Sequence, residues 1–159
     1  MNLKLLPPSH PNTAHSCHVL GNIYHQQQDY FKALQTHEQA LAMYRFILPE
    51  SHPFIAHSLN SIGNVYRCQG EYNKALKLHT QALNIRLATL PSIHPDIVRS
   101  YHNIAIIHKK VSQYEQAIAF CEAAQEIRKQ SLVPQYMDIK NGEKLIFHLR
   151  KKMSTLNVK

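Results

Sequence analysis

Glycine is scarce in this chain, with four in 159 residues, and cysteine is scarcer, with three; carboxylates number ten against eighteen Lys and Arg. Four glycines beside eight prolines, in a chain that is 44% hydrophobic, exclude a low-complexity or disordered class and leave material for one sizeable core. No run of 18 apolar residues occurs, so no membrane-spanning helix is expected. The opening MNLKLLPPSHP has one lysine and an apolar cluster broken by two prolines, too short and interrupted for a secretory leader, and the cytoplasm is the expected compartment. A glycine-rich phosphate loop and an HExxH motif are both missing, and helical register brings no Ser, His and acid set together. Neither an enzyme nor a cofactor is expected.

What the chain has instead is a repeat. His10-Pro11, His52-Pro53 and His94-Pro95 stand 42 positions apart, Tyr30, Tyr72 and Tyr114 keep the same register, and so do Ala33, Ala75 and Ala117. A fixed period of this size signals stacked supersecondary units. The divisions expected are a tail of a preceding repeat at 1–9, repeats at 10–51, 52–93 and 94–135, a closing helix at 136–153 and a frayed tail at 154–159. In the first of these, Leu6 and Pro7 share columns with Leu48 and Pro49 and with Leu90 and Pro91. That register suggests a piece of a longer array, or else an abbreviated element plugging the first repeat; a dedicated cap should carry more polar residues on its outer face.

The second repeat shows the local logic. Pro53 suits a first helical position, where its missing N–H is an orphan anyway. A helix then fits from Pro53 to about Gln69, with Leu59, Ile62, Gly63 and Tyr66 at i, i+3, i+4, i+7 on one face, and Gly70 ends it. A second helix fits Tyr72 to about Leu90, turning Tyr72, Ala75, Leu76, His79, Ala82 and Leu83 inward, and Pro91 closes it. Gly63 with Ala75 lets the two backbones approach closely, as Gly21 with Ala33 and Ala105 with Ala117 do in the neighbours. One such hairpin cannot bury enough surface alone, so stacking on neighbours must supply the rest.

The third repeat is looser: Tyr101, Ile104 and His108 replace Leu59, Ile62 and Tyr66, and Ser112 replaces the turn glycine. Beyond Pro134, Ile139, Ile146, Leu149 and Met153 share one helical face, while Phe147 falls in the column of Gly21, Gly63 and Ala105. A phenylalanine there leaves no room for a partner helix, which makes this segment the closing one.

The spacing of Leu59, Ile62, Gly63, Tyr66, Gly70, Tyr72, Ala75 and Ala82 resembles the tetratricopeptide repeat (TPR) signature, lengthened from its usual period of about 34 residues. Openings such as HPDI at His94 to Ile97 and ends such as ALNIRLATL at Ala82 to Leu90 are similar to those of kinesin light chains and related TPR proteins. The resemblance covers almost the whole chain. It implies an all-α, right-handed superhelical solenoid of antiparallel helix hairpins that serves as a protein-binding adaptor. Paired asparagines common in that family are matched only by Asn60 and Asn103, and no heptad coiled coil precedes the repeats, so neither a specific cargo motif nor motor association carries over.

The same resemblance implies that the leading helices line a concave groove. Opposite the packed stripe lie His15, His18, Asn22 and His25 in the first repeat, and His57, Asn60, Asn64 and Arg67 in the second. In the third they are Arg99, His102, Ile106 and Lys109. Eleven of these twelve positions are polar and none is acidic, a set of donors suited to carboxylates and an extended peptide backbone. The expected partner is an acidic protein segment, held at about micromolar strength by several weak contacts. The rival reading is RNA, motivated by the formal charge of +8 and the run Arg150, Lys151, Lys152, but the aromatics are mainly core tyrosines rather than stacking platforms. No membrane partner is expected.

Metal binding is not expected either. Cys17 belongs to the core stripe while His15 and His18 face outward, so the three cannot meet at one ion. Cys17, Cys68 and Cys121 occupy three different repeat positions, unlike a disulfide framework or a repeated metal site, and read as reduced thiols. His37 and His79 share an inner column with Cys121 and read as packed rings with a satisfied nitrogen.

Overall fold

The computed structural model describes residues 11–130 and 136–156, and these form seven helices with no strand among them. The tail expected at 1–9, the helix-opening His10 and residues 157–159 lie outside the described residues. Helix α1 (Pro11–Gln26) pairs with α2 (Tyr30–Ile47), α3 (Pro53–Cys68) precedes α4 (Tyr72–Thr89), α5 (Pro95–Lys110) pairs with α6 (Tyr114–Gln130), and α7 (Tyr136–Leu156) packs on α6. The chain falls into two compact units, Met1–Ile85 and Arg86–Lys159. Helix α7 continues through Ser154 and Thr155, whose hydroxyls donate to the carbonyls of Lys151 and Lys152, where the sequence suggests fraying.

The His-Pro pairs open helices through both residues. His52 and His94 are N-caps: their Nδ1 atoms accept the N–H of Phe54 at 3.2 Å and of Asp96 at 3.1 Å, and Pro53 and Pro95 follow at the first helical position. At the hairpin turns the chain needs a left-handed residue every 42 positions, and Gly70 supplies it at φ 80°. Gln28 (φ 62°) and Ser112 (φ 63°) adopt the same conformation without glycine's freedom.

In the first unit the core joins Ala14, Ala40, Leu41, Tyr44, Ile55, Leu59, Ile62 and Ala82, with Tyr66 half-buried against them. The second unit is centred on Ala105, Tyr114, Ala117, Ile118, Cys121 and Leu149. A leading helix buries two stripes rather than one. Besides Leu59, Ile62 and Gly63, α3 buries Ile55, Ser58 and Val65. Likewise α5 buries Ile97, Ser100 and Ile107, whereas Tyr101 is only half-buried, 6.0 Å from the ring of Phe120. For α3 the additional stripe goes with its packing on α2 of the preceding hairpin, which leaves less of its circumference for a ligand.

Small residues set the closest approaches. A Cβ placed on Gly21 would stand 2.6 Å from the ring of His37, one on Gly63 2.9 Å from His79, and one on Gly142 2.6 Å from Gln125. Gly142 extends the column of Ser58 and Ser100, both fully buried. Phe147, in the column of Gly21 and Gly63, is 71% exposed, so the side of α7 that would face a partner helix is open.

Candidate functional site

In the first unit, α1 and α3 contain no carboxylate. Asp29, Glu50 and Glu71 lie outside these two helices and are paired with Lys32, Arg45 and Lys74, of which Lys32 and Lys74 also sit over the rings of Tyr24 in α1 and Tyr66 in α3. The outward positions of α1 and α3 come together in two places. The charge of His57 and of His15 acts on His18, and that of Arg67 acts on His25. His15 and Asn22 are exposed, while His57, Asn64 and Arg67 are half-buried.

Side-chain partners narrow what this face offers. The Nδ1–H of His79 donates to Oδ1 of Asn60 at 3.1 Å, so Asn60 orients a core ring rather than standing free for a ligand. His18 lies 5.1 Å from the ring of His37, and Nδ1 of both imidazoles is buried without a hydrogen-bond partner. Burial first, and then the neighbouring His57 and His15, push the pKa of His18 down; burial and then Arg67 do the same to His25. Both shifts favour the neutral imidazole, and Arg67 is the one Lys or Arg that α1 and α3 contain. Its Nε is buried without a partner.

His25 also meets Cys68, Nε2 to Sγ 3.6 Å, beside the ring of Tyr30 at 5.9 Å. Cys17 is half-buried against the core, Cys121 is buried, and all three cysteines are free thiols. Among the described residues no three His, Cys, Asp or Glu side chains are grouped to hold a metal.

In the second unit Arg99 pairs with Asp96 one turn earlier, so its charge is partly answered within its own helix. His102, Ile106 and Lys109 are half-buried. Ile106 and Lys109 open onto a cleft of about 380 Å³ whose wall is completed by Lys110, Ser112, Tyr114, Leu145 and Lys152. Sequence spacing marked Ile106 as the odd apolar member of the outward stripe; in the structure it is, with Leu145, part of the cleft's apolar lining. The run Arg150, Lys151, Lys152 divides: Arg150 bonds Glu122 at 2.5 Å, while Nζ of Lys152 sits 5.4 Å from the centre of the Tyr114 ring.

The buried Arg86 escapes any reading by spacing. Its guanidinium, 2% exposed, donates to Oγ of Ser100 at 2.6 Å and to the carbonyl of Asp96 at 3.4 Å. Burial depresses its pKa, against the favourable charge of Asp96. Through its two hydrogen bonds it links α4 to the first half of α5.

Two tetratricopeptide repeat profiles match the chain, one over residues 10–88 and one over 98–131. Among solved structures, a kinesin light chain-type protein of Podosopora anserina with nearly identical TPR-like repeats superposes with a TM-score of 0.76 at 24% identity, covering 88% of this chain and 66% of its own. BtubC (BKLC) from P. vanneervenii gives a TM-score of 0.75 at 15% identity over 98% of this chain and 68% of its own. The TPR2B domain of yeast Sti1, in a complex with pHsp70, gives 0.66 at 16% identity over 87% and 97%. No curated protein matches the sequence. Likeness at these identities is likeness of fold.

Proposed function

Because the chain belongs to the tetratricopeptide repeat family, we propose that it is a non-catalytic interaction scaffold whose leading helices capture an extended, acidic protein segment. The observation that carries this reading is the sign of the exposed faces. Helices α1 and α3 have no carboxylate, and the one acid of α5, Asp96, sits in its first turn against Arg99. The likeness in fold to the Sti1 domain solved with pHsp70 supports a protein or peptide as partner. Individual ion pairs on an open face contribute about 0–1 kcal/mol each. Several contacts acting together must supply micromolar affinity, about −8 kcal/mol.

A peptide array probed with the full chain at two salt concentrations tests the reading. Retention of a defined set of acidic peptides supports it. Binding that ignores peptide sequence and collapses as salt rises would indicate a polyanion such as RNA instead. Changing Asn64, Arg67, Arg99 and Lys109 together to Ala should weaken peptide capture while helical content and Tm stay nearly constant. Equal capture by that variant and the parent rejects the assignment.

A further inference from the structure

We propose that the cleft between α5, the α5–α6 turn and α7 is a binding site for a phosphorylated serine or threonine, taken up together with a neighbouring apolar residue of the same peptide. Three lysines, Lys109, Lys110 and Lys152, line it together with Ser112 and Tyr114, and no Asp or Glu is among the lining residues. The volume, about 380 Å³, falls in the range of about 300–1,000 Å³ that ligand pockets occupy.

The phenol marks where the donors converge. Tyr114 is 8% exposed; its hydroxyl shares a hydrogen bond with Ser112 Oγ at 3.4 Å, and Nζ of Lys152 lies 5.4 Å from its ring centre. Hydrogen bonds with Ser112 and then Lys152, followed by the charges of Lys152 and Lys109, hold its pKa below the usual phenol range. Lysines and hydroxyl-bearing side chains thus meet at one point of the cleft wall.

Charge selects the kind of anion. A phosphomonoester carries about −1.5 to −2 at pH 7 and three strong acceptor oxygens, whereas a carboxylate carries a single charge on two. Three lysines with no facing acid are therefore matched far better by the phosphate. Ile106 and Leu145 supply the apolar part of the lining, which an RNA backbone would leave uncovered and a peptide side chain would fill. Ile106 and Lys109 also belong to the outward stripe of α5, so a segment lying along that stripe delivers its phosphate into the cleft. The choice of a peptide rests on the scaffold reading; the phosphate site itself does not.

The test follows amide shifts of the full chain by NMR on titration with N-acetyl-O-phosphoserine amide, with N-acetylaspartate amide as the carboxylate control. The phosphoserine probe should saturate with shifts at Lys109 to Tyr114 and Leu145 to Lys152. The aspartate probe should bind about tenfold more weakly or not at all. Affinity for phosphoserine should climb with pH as its second proton leaves at about pH 6. The Lys109→Gln/Lys152→Gln pair should lose about tenfold, the equivalent of one good ionic contact. If that pair unfolds, Lys110→Gln, whose side chain is exposed, serves in its place. Equal binding of the two probes, shifts elsewhere on the chain, or indifference to the lysine changes would overturn the site. A phosphopeptide with an apolar neighbour should outbind the bare amide; an RNA hexamer that outcompetes it overturns the peptide assignment. Should acidic peptides fail on the array while phosphoserine binds here, the general scaffold reading falls and the phosphate site stands.

Discussion

The ring of His79 occupies the space that a Cβ on Gly63 would need, with Nε2 2.9 Å from that point, and the same contact recurs between His37 and Gly21 at 2.6 Å. Each imidazole thus stands where a trailing helix comes closest to its leading partner. His37 and His79 are 1% and 0% exposed, so neither ring has free space to retreat into. The geometry ties hairpin closure to a glycine on one helix and a flat ring on the other.

Gly21→Ala should therefore destabilise the protein, even though alanine is the better helix former by about 1 kcal/mol. Ring atoms down to Cγ of His37 lie under 3.0 Å from the added methyl, so backbone or ring must shift at a cost of about 1–3 kcal/mol. Thermal unfolding of the variant should show a lower Tm. Gly63→Leu is larger and should abolish the cooperative transition; a cooperative melt at the parental temperature for either change would refute the packing account.

Stability should fall on mild acidification. Burial first, and then the charges of His18 and His25, lower the pKa of His37 from 6.5 to about 4. Between those values the unfolded chain binds a proton that the folded chain refuses, so the stabilisation present above pH 6.5 is lost as pH falls toward 4. The most this group can contribute is about 3 kcal/mol, and the lowered pKa of His18 acts in the same direction. Urea unfolding at a series of pH values measures the slope. His37→Phe, which cannot titrate, should flatten it, and an unchanged slope in that variant would assign the effect to other groups.

Arg86 allows two substitutions with opposite outcomes. Arg86→Ala removes a long buried side chain and leaves a cavity, at a cost of about 2–5 kcal/mol. Arg86→Met fills most of the volume and removes a charge whose burial already depresses its pKa, so stability should be unchanged or higher. Ser100 keeps its bond to the Asp96 carbonyl at 3.0 Å in both. Equal losses of Tm in the two variants would show that the guanidinium hydrogen bonds, and not its bulk, hold the start of α5.

Much of the repeat was legible in the sequence because backbone rules leave spaced traces. The His-Pro pairs, the small residues at Gly63 and Ala75 and the turn at Gly70 all repeat at one interval, and the helices begin where they indicate. Less visible was whatever depends on rotamers or on a second packing partner. A period of 3.6 picks out the strongest apolar face, so Leu59 and Ile62 stood out while Ser58 and Ser100, polar by type and fully buried, did not. Spacing placed Asn60, His18 and Arg99 on an outward face, but not the side chains that engage them: His79, His37 and Asp96. Gln28 and Ser112 betray their left-handed backbone only by their register with Gly70, since the conformation is imposed by the turn rather than favoured by the residue.

Asn60 separates the structural from the binding role within one stripe. Its Oδ1 accepts the Nδ1–H of buried His79, so Asn60→Ala deprives a core ring of that bond and should cost about 1–3 kcal/mol of stability. Asn64, one turn further along α3 and half-buried, takes no part in that contact, and Asn64→Ala should change stability by no more than about 0.5 kcal/mol. The order should reverse in binding. At a temperature where both variants are folded, Asn64→Ala should weaken capture of acidic peptides from the array and Asn60→Ala should leave it nearly intact. Calorimetric melting beside peptide titration measures the two effects in the same samples. A destabilised Asn60 variant that also loses the peptide at that temperature would mean the His79 contact shapes the binding face as well as the core.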